Sequence, residues 1–126
     1  MNWTLEVVVV PVSDVDRAKS FYADQVGFNL DHDTRVSDEI RIVQLTPPGS
    51  GCSIVLGTGI VDSTPGSLRG LQLVVSDIEA ARAELVQRGV EVTDIQRLDP
   101  SDGGTFVYFS DPDGNAWAVQ EIRARA

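Results

Sequence analysis

Cysteine is nearly missing from this chain, and so is histidine: Cys52 and His32 are the single examples in 126 residues. One thiol excludes an internal disulfide and any thiolate metal cluster. Cys52 also has no plausible imidazole partner for a Cys–His nucleophile. Long apolar runs are missing as well. Nothing approaches the ~18 residues of a membrane span. The run Leu5–Pro11 is too short and has no basic segment before it, so no signal peptide is expected. Positive charge is scarce, with 10 Lys and Arg against 19 Asp and Glu and a formal net charge of −9. A surface of that sign disfavours nucleic acid and anionic membranes. Neither is therefore an expected partner, and a cytoplasmic location is the expectation.

What is present fits one globular domain. Hydrophobic residues make up 42%, and the length is enough for a single real core. The chain also repeats itself. "VSDVDRAKSFYADQVGF" begins at Val12 and "VSDIEAARAELVQRGVEV" at Val75, 63 residues apart. Identities fall at Val12/Val75, Ser13/Ser76, Asp14/Asp77 and Ala18/Ala81, with matching types at Val15/Ile78, Asp16/Glu79 and Lys19/Arg82. This is an internal duplication.

Each copy has the same order of elements. "LEVVVVPV" (5–12) is a β-branched run ending in proline and reads as a strand. A helix follows, with Ser13 or Asp14 as N-cap and Asp16 in its first turn. Its apolar face is Val15, Ala18, Phe21, Tyr22 and Val26, and Gly27 ends it. Strands are expected over 28–33, 40–45 and 52–57, with a turn at "TPPGSG" (46–51). A linker over 58–69, rich in glycine, separates the copies. The second copy gives a strand over 70–76, a helix over Asp77–Arg88, and strands over 90–96, 105–110 and 115–122. Ser76 and Glu79 have capping-box spacing, and "DPDG" (111–114) is a tight turn. The expected fold is α+β: one domain over 1–126 with two tandem βαβββ modules, 4–57 and 70–122, whose curved mixed sheets surround a shared cavity. A four-stranded sheet with one helix covers only one of its own faces, and the other must pack or line a cavity.

The two modules, the "VSDVDRAKSFY…GF" opening and the "FSDPDGNAW" ending resemble the vicinal oxygen chelate superfamily. That group includes glyoxalase I, extradiol dioxygenases, and fosfomycin- and bleomycin-resistance proteins. The resemblance covers about residues 4 to 122. It implies either a metal-dependent enzyme or a pure binder, since the fold hosts both. In the enzymes, one metal ligand lies in the first strand of each module, seven residues before the capping aspartate. Counting back gives Val7 from Asp14 and Gly70 from Asp77. The last ligand follows the "DPDGN" asparagine by three, which is Ala118, and the 63-residue offset maps it onto Val55. None of these four side chains can donate to a metal. Shifting the register brings up Glu6 and Glu121, but on the wrong strand parity. His32 lies in the second strand, away from all four positions, and reads as a surface residue. No metal and no cofactor are expected.

What the resemblance leaves is a cavity lined by small and apolar residues. Parity with the lost ligand positions places Val7, Val9, Val55, Gly70, Gln72, Ala118 and Gln120 toward it, along with Leu5, Ser53, Val74 and Ala116. Resemblance to the fosfomycin-resistance proteins adds Tyr108, with Phe106 beside it. Such a lining suits an apolar or aromatic ligand, oriented by Gln72, Gln120 and Tyr108, or else the two glutamines merely satisfy each other. Arg41 and Gln44 lie nearby on an unfixed side. Trp117 and Val119 have core parity. The expected function is metal-free small-molecule binding, such as sequestering an apolar or aromatic compound. The alternative is a lyase, isomerase or dioxygenase-like enzyme with a displaced metal, or a metal-free catalyst using Tyr108 or Glu121. Family members of this size commonly pair, so a homodimer is expected.

Overall fold

The computed structural model describes residues 1–125. In the first copy, β1 (Val7–Val9) leads into α1 (Val15–Ser20), which continues as a π-helical turn over Phe21–Val26. Strands β2 (Asn29–Arg35), β3 (Arg41–Thr46) and β4 (Ser53–Thr58) complete it. In the second copy, β5 (Leu71–Val75) leads into α2 (Ile78–Gln87), followed by β6 (Gln96–Arg97), β7 (Thr105–Ser110) and β8 (Ala116–Glu121). The sheets run β1-β4-β3-β2 and β5-β8-β7-β6. In each, the first strand pairs parallel with the last, and the other pairs are antiparallel. The duplication read from sequence is therefore a duplication of topology, and the fold is the expected α+β pair of mixed sheets.

Some elements differ from the sequence expectation. The first strand covers only Val7–Val9, because residues 1–6 leave the sheet after the carbonyl of Glu6 accepts from the Ser53 amide. The strand expected over 90–96 shrinks to Gln96–Arg97. Its earlier part runs beside β7, with Thr93 and Tyr108 bonded through both the Thr93 amide and the Thr93 hydroxyl. Asp14 and Asp77 cap the helices by accepting from the amides of Arg17 and Ala80. The capping box at Ser76 and Glu79 is not used. The free Ile78 amide donates instead to the buried carboxylate of Glu121 on β8, at 2.9 Å.

Both sheets turn the same parity inward. Val43, Leu45, Ile54 and Leu56 from the first sheet join Val107, Phe109, Trp117 and Val119 from the second in one cluster with Val15, Ala18, Phe21 and Tyr22 of the first helix and Ile78 and Leu85 of α2. The helix-side faces thus share a single core, and the opposite face of each sheet is left open. An aromatic group forms the centre. Tyr22 stacks on Phe28, Phe109 stacks on Trp117, and Phe28 meets Trp117 edge-on, a geometry that adds to plain area burial.

The "DPDGN" turn closes this core. Asp111 is buried and accepts at 2.8 Å from the Tyr22 hydroxyl and from the Asn115 side-chain amide. It also accepts from the backbone amides of Asp113 and Asn115. Asn115 donates to the Pro11 carbonyl and accepts from the Leu68 amide. Asp113 accepts from both the amide and the hydroxyl of Ser13. A turn in the second copy therefore holds the end of β1, the start of α1 and the linker. No buried side-chain polar atom among the described residues lacks a partner.

Candidate ligand-binding faces

On the first sheet, the face away from the helices carries Val7, Val9, Ser53, Val55 and Gln44. Register sets Val7 beside Ser53, and Val9 beside Val55 with Gln44 next across. On the second sheet, Gln72, Ala118 and Tyr108 stand side by side across three strands, as do Val74, Gln120 and Phe106. Phe106 and Tyr108 lie nearly parallel, with centroids 6.0 Å apart and planes 7° apart. They form a two-ring plate that is only half-buried. Each sheet thus gathers its share of the candidate residues on one face. Gln72 and Gln120 bond each other at 2.8 Å, and Gln120 donates onward to the Gly103 carbonyl at 2.7 Å. In the single chain the two glutamines therefore satisfy each other, and a ligand must displace that bond to engage them.

Gly70 sits just before β5 with φ +83° and open space where a side chain would project. A side chain there meets room but a strained backbone. A hollow of about 550 Å³ lies between Tyr108, Ala116 and the Glu91–Thr93 segment. Its lining also includes Phe109, Asp111 and Trp117, which belong to the helix-side core.

On the first sheet, Ser53 and Gln44 are joined by two polar groups that the sequence reading does not name, Thr46 and Asp31. Thr46 donates to Asp31, and its oxygen lies 2.6 Å from that of Ser53. Gln44 completes the group with longer bonds to Asp31 and Ser53. Strict alternation through "FNLDHD" would put Asp31 and Asp33 on one side. A bulge between Leu30 and His32 breaks it. Asp31 joins the open face, whereas Asp33 turns to the helix side and meets Lys19 and Arg41, both at 2.8 Å. Nothing in the local sequence marks that bulge. Arg41, unassigned from sequence, belongs to the helix side, where it also meets Asp16. Its guanidinium, and after it the Lys19 ammonium, hold the Asp33 carboxyl well below the usual carboxylate range.

The metal question can be put to the donor set. Val7, Val55, Gly70 and Ala118 offer no donor atom, and no three His, Cys, Asp or Glu side chains gather among the described residues. His32 is exposed, with only a 3.5 Å contact to Thr34. Glu121 is occupied with the α2 amide and with Arg123. The residues present do not fit a metal of the kind held by the enzymes of this fold.

A family model for the glyoxalase/bleomycin resistance protein/dioxygenase superfamily matches residues 4–119. The chain belongs to this superfamily. Among solved structures it is similar to TnmS3, an antibiotic binding protein from Streptomyces sp. CB03234, with a TM-score of 0.83 and 37% identity over 96% of this chain and 97% of that one. It is also similar to a glyoxalase/bleomycin resistance protein from the same Streptomyces, with a TM-score of 0.80 and 38% identity over 94% and 100% of the two chains. YetH, an uncharacterized protein of Bacillus subtilis (strain 168), is 26% identical over 90% of this chain and 94% of its own length. Superfamily membership accounts for the two βαβββ modules. It does not by itself choose between catalysis and binding.

Proposed function

We propose that this protein is a metal-free small-molecule-binding protein that holds an apolar or aromatic compound against the open sheet faces. The observation that carries this reading is the chemistry of the four positions where the superfamily's enzymes place ligands. Here they are Val7, Val55, Gly70 and Ala118. Small apolar groups leave space without donors, beside a two-ring plate and a pair of carboxamides that can exchange one hydrogen bond for another. The antibiotic binding recorded for TnmS3 supports the same reading. The catalytic alternative through Glu121 has its carboxylate already engaged in capping α2.

The reading includes a homodimer. Each open face is partly exposed in the single chain: Val7 is 40% exposed, whereas Val55 is already buried at 8%. A ligand sandwiched between two faces gains more buried area than one lying on either alone. The first sheet of one copy facing the second sheet of another supplies Val7, Val9 and Val55 on one wall and Gln72, Phe106, Tyr108, Ala118 and Gln120 on the other.

The test is calorimetric titration with a panel of planar aromatic compounds, alongside native mass spectrometry of what copurifies. Binding at micromolar or better dissociation constant is expected for at least one compound. Ala118→Leu should weaken it at least about tenfold, ~1.4 kcal/mol, with an unchanged melting temperature. Ala118 is the better probe than Gly70, whose positive φ would confuse blocking with strain. A destabilisation of the size of core overpacking, roughly 1–3 kcal/mol, would show that the face is packed and not a ligand wall. Unaltered binding in a folded Ala118→Leu protein would move the site elsewhere.

A further inference from the structure

The open face of the first sheet is divided in its chemistry. Val7, Val9 and Val55 make the half on β1 and β4 apolar. The half on β3 and β2 is polar. There the Thr46 hydroxyl donates to Asp31, the Thr46 and Ser53 oxygens lie 2.6 Å apart, and the Gln44 amide faces both Asp31 and Ser53. Asp31 reaches this face through the bulge between Leu30 and His32, which adds a residue to β2 and re-aims it. His32 follows on the same face, opposite Gln44.

The charge of this group is unbalanced. Asp33, two residues on, meets Lys19 and Arg41 on the helix side. Among the described residues, no ion pair includes Asp31. Arg35 stands opposite Arg41, and Arg97 opposite the buried Thr105, so both have helix-side parity. With histidine neutral, Asp31 is then the one formal charge among the described strand residues of either open face. Thr46 and Gln44 both serve the same oxygen of its carboxylate. What the cluster lacks is a donor carrying positive charge. A neutral apolar compound pressed over it removes water from a carboxylate and offers no replacement. An ammonium replaces that water with charge-assisted hydrogen bonds.

The second sheet holds different chemistry at the matching places. The 63-residue offset sets Ser53 against Ala116 and Val55 against Ala118. Across from Val55 stands Gln44, and across from Ala118 stands Tyr108. Hydroxyls and a carboxamide on one sheet are thus answered by methyl groups and an aromatic plate on the other. Two faces of such different character suit a compound with two different ends. We propose that the compound held here is an aromatic molecule bearing a protonated aliphatic amine, with its rings on the Phe106–Tyr108 plate and its ammonium on Asp31.

The inference rests on the binding reading above and names the class of compound. Calorimetric titration uses three probes that share one ring system and differ in the charge of the side group: naphthylmethylamine, naphthylmethanol and naphthylacetate. It is run at about pH 8, above the ordinary histidine range. The amine should bind at least about tenfold tighter than the alcohol, and the acetate weakest of the three. Asp31→Asn, at an exposed position, should abolish the amine's advantage and leave the alcohol's constant unchanged. Asp33→Asn removes the same charge from the helix side of the same strand and should keep the advantage. That comparison separates a local contact from the pull of the net charge of −9. Both variants are checked for folding by circular dichroism, and the wild-type preference is read without any variant. Equal constants for amine and alcohol overturn the Asp31 anchor and leave the binding reading standing. So does an advantage that survives Asp31→Asn, or one lost to the same extent in folded Asp33→Asn. No binding by any of the three overturns the anchor, and the binding reading falls with it only if the wider aromatic panel also fails to bind.

Discussion

Tyr22 shows how much one side chain can carry in this fold. Its hydroxyl donates to Asp111 at 2.8 Å and accepts from the Trp117 indole at 2.9 Å, with the residue fully buried. Burial first, and then the neighbouring Asp111 charge, push the phenol pKa far above its usual value, so it stays a neutral donor at any working pH. Tyr22→Phe keeps the ring stacking and removes one oxygen. It leaves the Trp117 N–H without an acceptor and Asp111 short of one donor, and the cost is that of unsatisfied buried groups, roughly 1–3 kcal/mol. Urea unfolding of the variant against wild type measures this. A loss under about 0.5 kcal/mol would mean that water replaces the hydroxyl and that the contact is not structural. From sequence, Tyr22 was legible as a core residue because of its helical spacing. Its partner was not. "DPDG" reads as a turn, and nothing in those four letters says that Asp111 faces inward across 89 residues of chain.

At the scale of elements, pattern was most legible where it was redundant. The capping aspartates, the Val15–Val26 stripe and the strand runs of β4, β7 and β8 each carry periodicity and a boundary signal together. Where only one signal was present, the reading failed. "VEVTDIQ" alternates like a strand but forms little ladder, because Thr93 pins its middle to β7 and regular pairing starts only at Gln96, opposite Phe106. The Asp31 bulge was invisible for the same reason. It has electrostatic consequences that can be measured, since it delivers Asp33 to Arg41 and Lys19 between β2, β3 and α1. The folded carboxyl is held below its ordinary range, so the folded state binds that proton less readily than the unfolded chain. The stabilisation is complete above about pH 4, the ordinary Asp value, and fades as pH falls from there toward the depressed folded value. Asp33→Asn should therefore be less stable than wild type by about 1 kcal/mol at pH 7, the scale of a solvent-reached ion-pair network. The gap should narrow at pH 3. Urea midpoints at both values decide it, and a gap of the same size at pH 3 would show that packing, not charge, is at issue.

At the scale of the whole molecule, the duplication explains both what the chain has kept and what it lacks. Two copies of one module supply two open faces, and the 63-residue offset places equivalent residues on each. A four-ligand metal site in this arrangement needs donors at all four equivalent positions, because no single sheet presents more than two of them. With Val, Val, Gly and Ala there, the four positions that the superfamily's enzymes use supply no donor atom. The acidic surface still attracts cations, so the discriminating quantity is linkage to folding. A ligand at 100 times its dissociation constant raises native stability by about 2.7 kcal/mol, which moves the melting temperature of a chain this size by several degrees. The expected result with Zn²⁺, Ni²⁺, Mn²⁺ and Fe²⁺ is a smaller shift that disappears in 0.5 M salt (~4 Å screening length), as surface carboxylates give. A salt-resistant rise of several degrees with one metal, retained in stoichiometric amount after dialysis, would place a true site on these faces and return the protein to the metal-dependent enzymes. The converse experiment begins from Val7→His, Val55→Glu and Ala118→Glu, leaving Gly70 because of its backbone. Two of these positions lie on the first sheet and one on the second, so the three donors meet only if the faces do. Metal uptake by the triple variant that is lost on dilution to monomer would therefore report the facing of the two sheets as directly as it reports the metal.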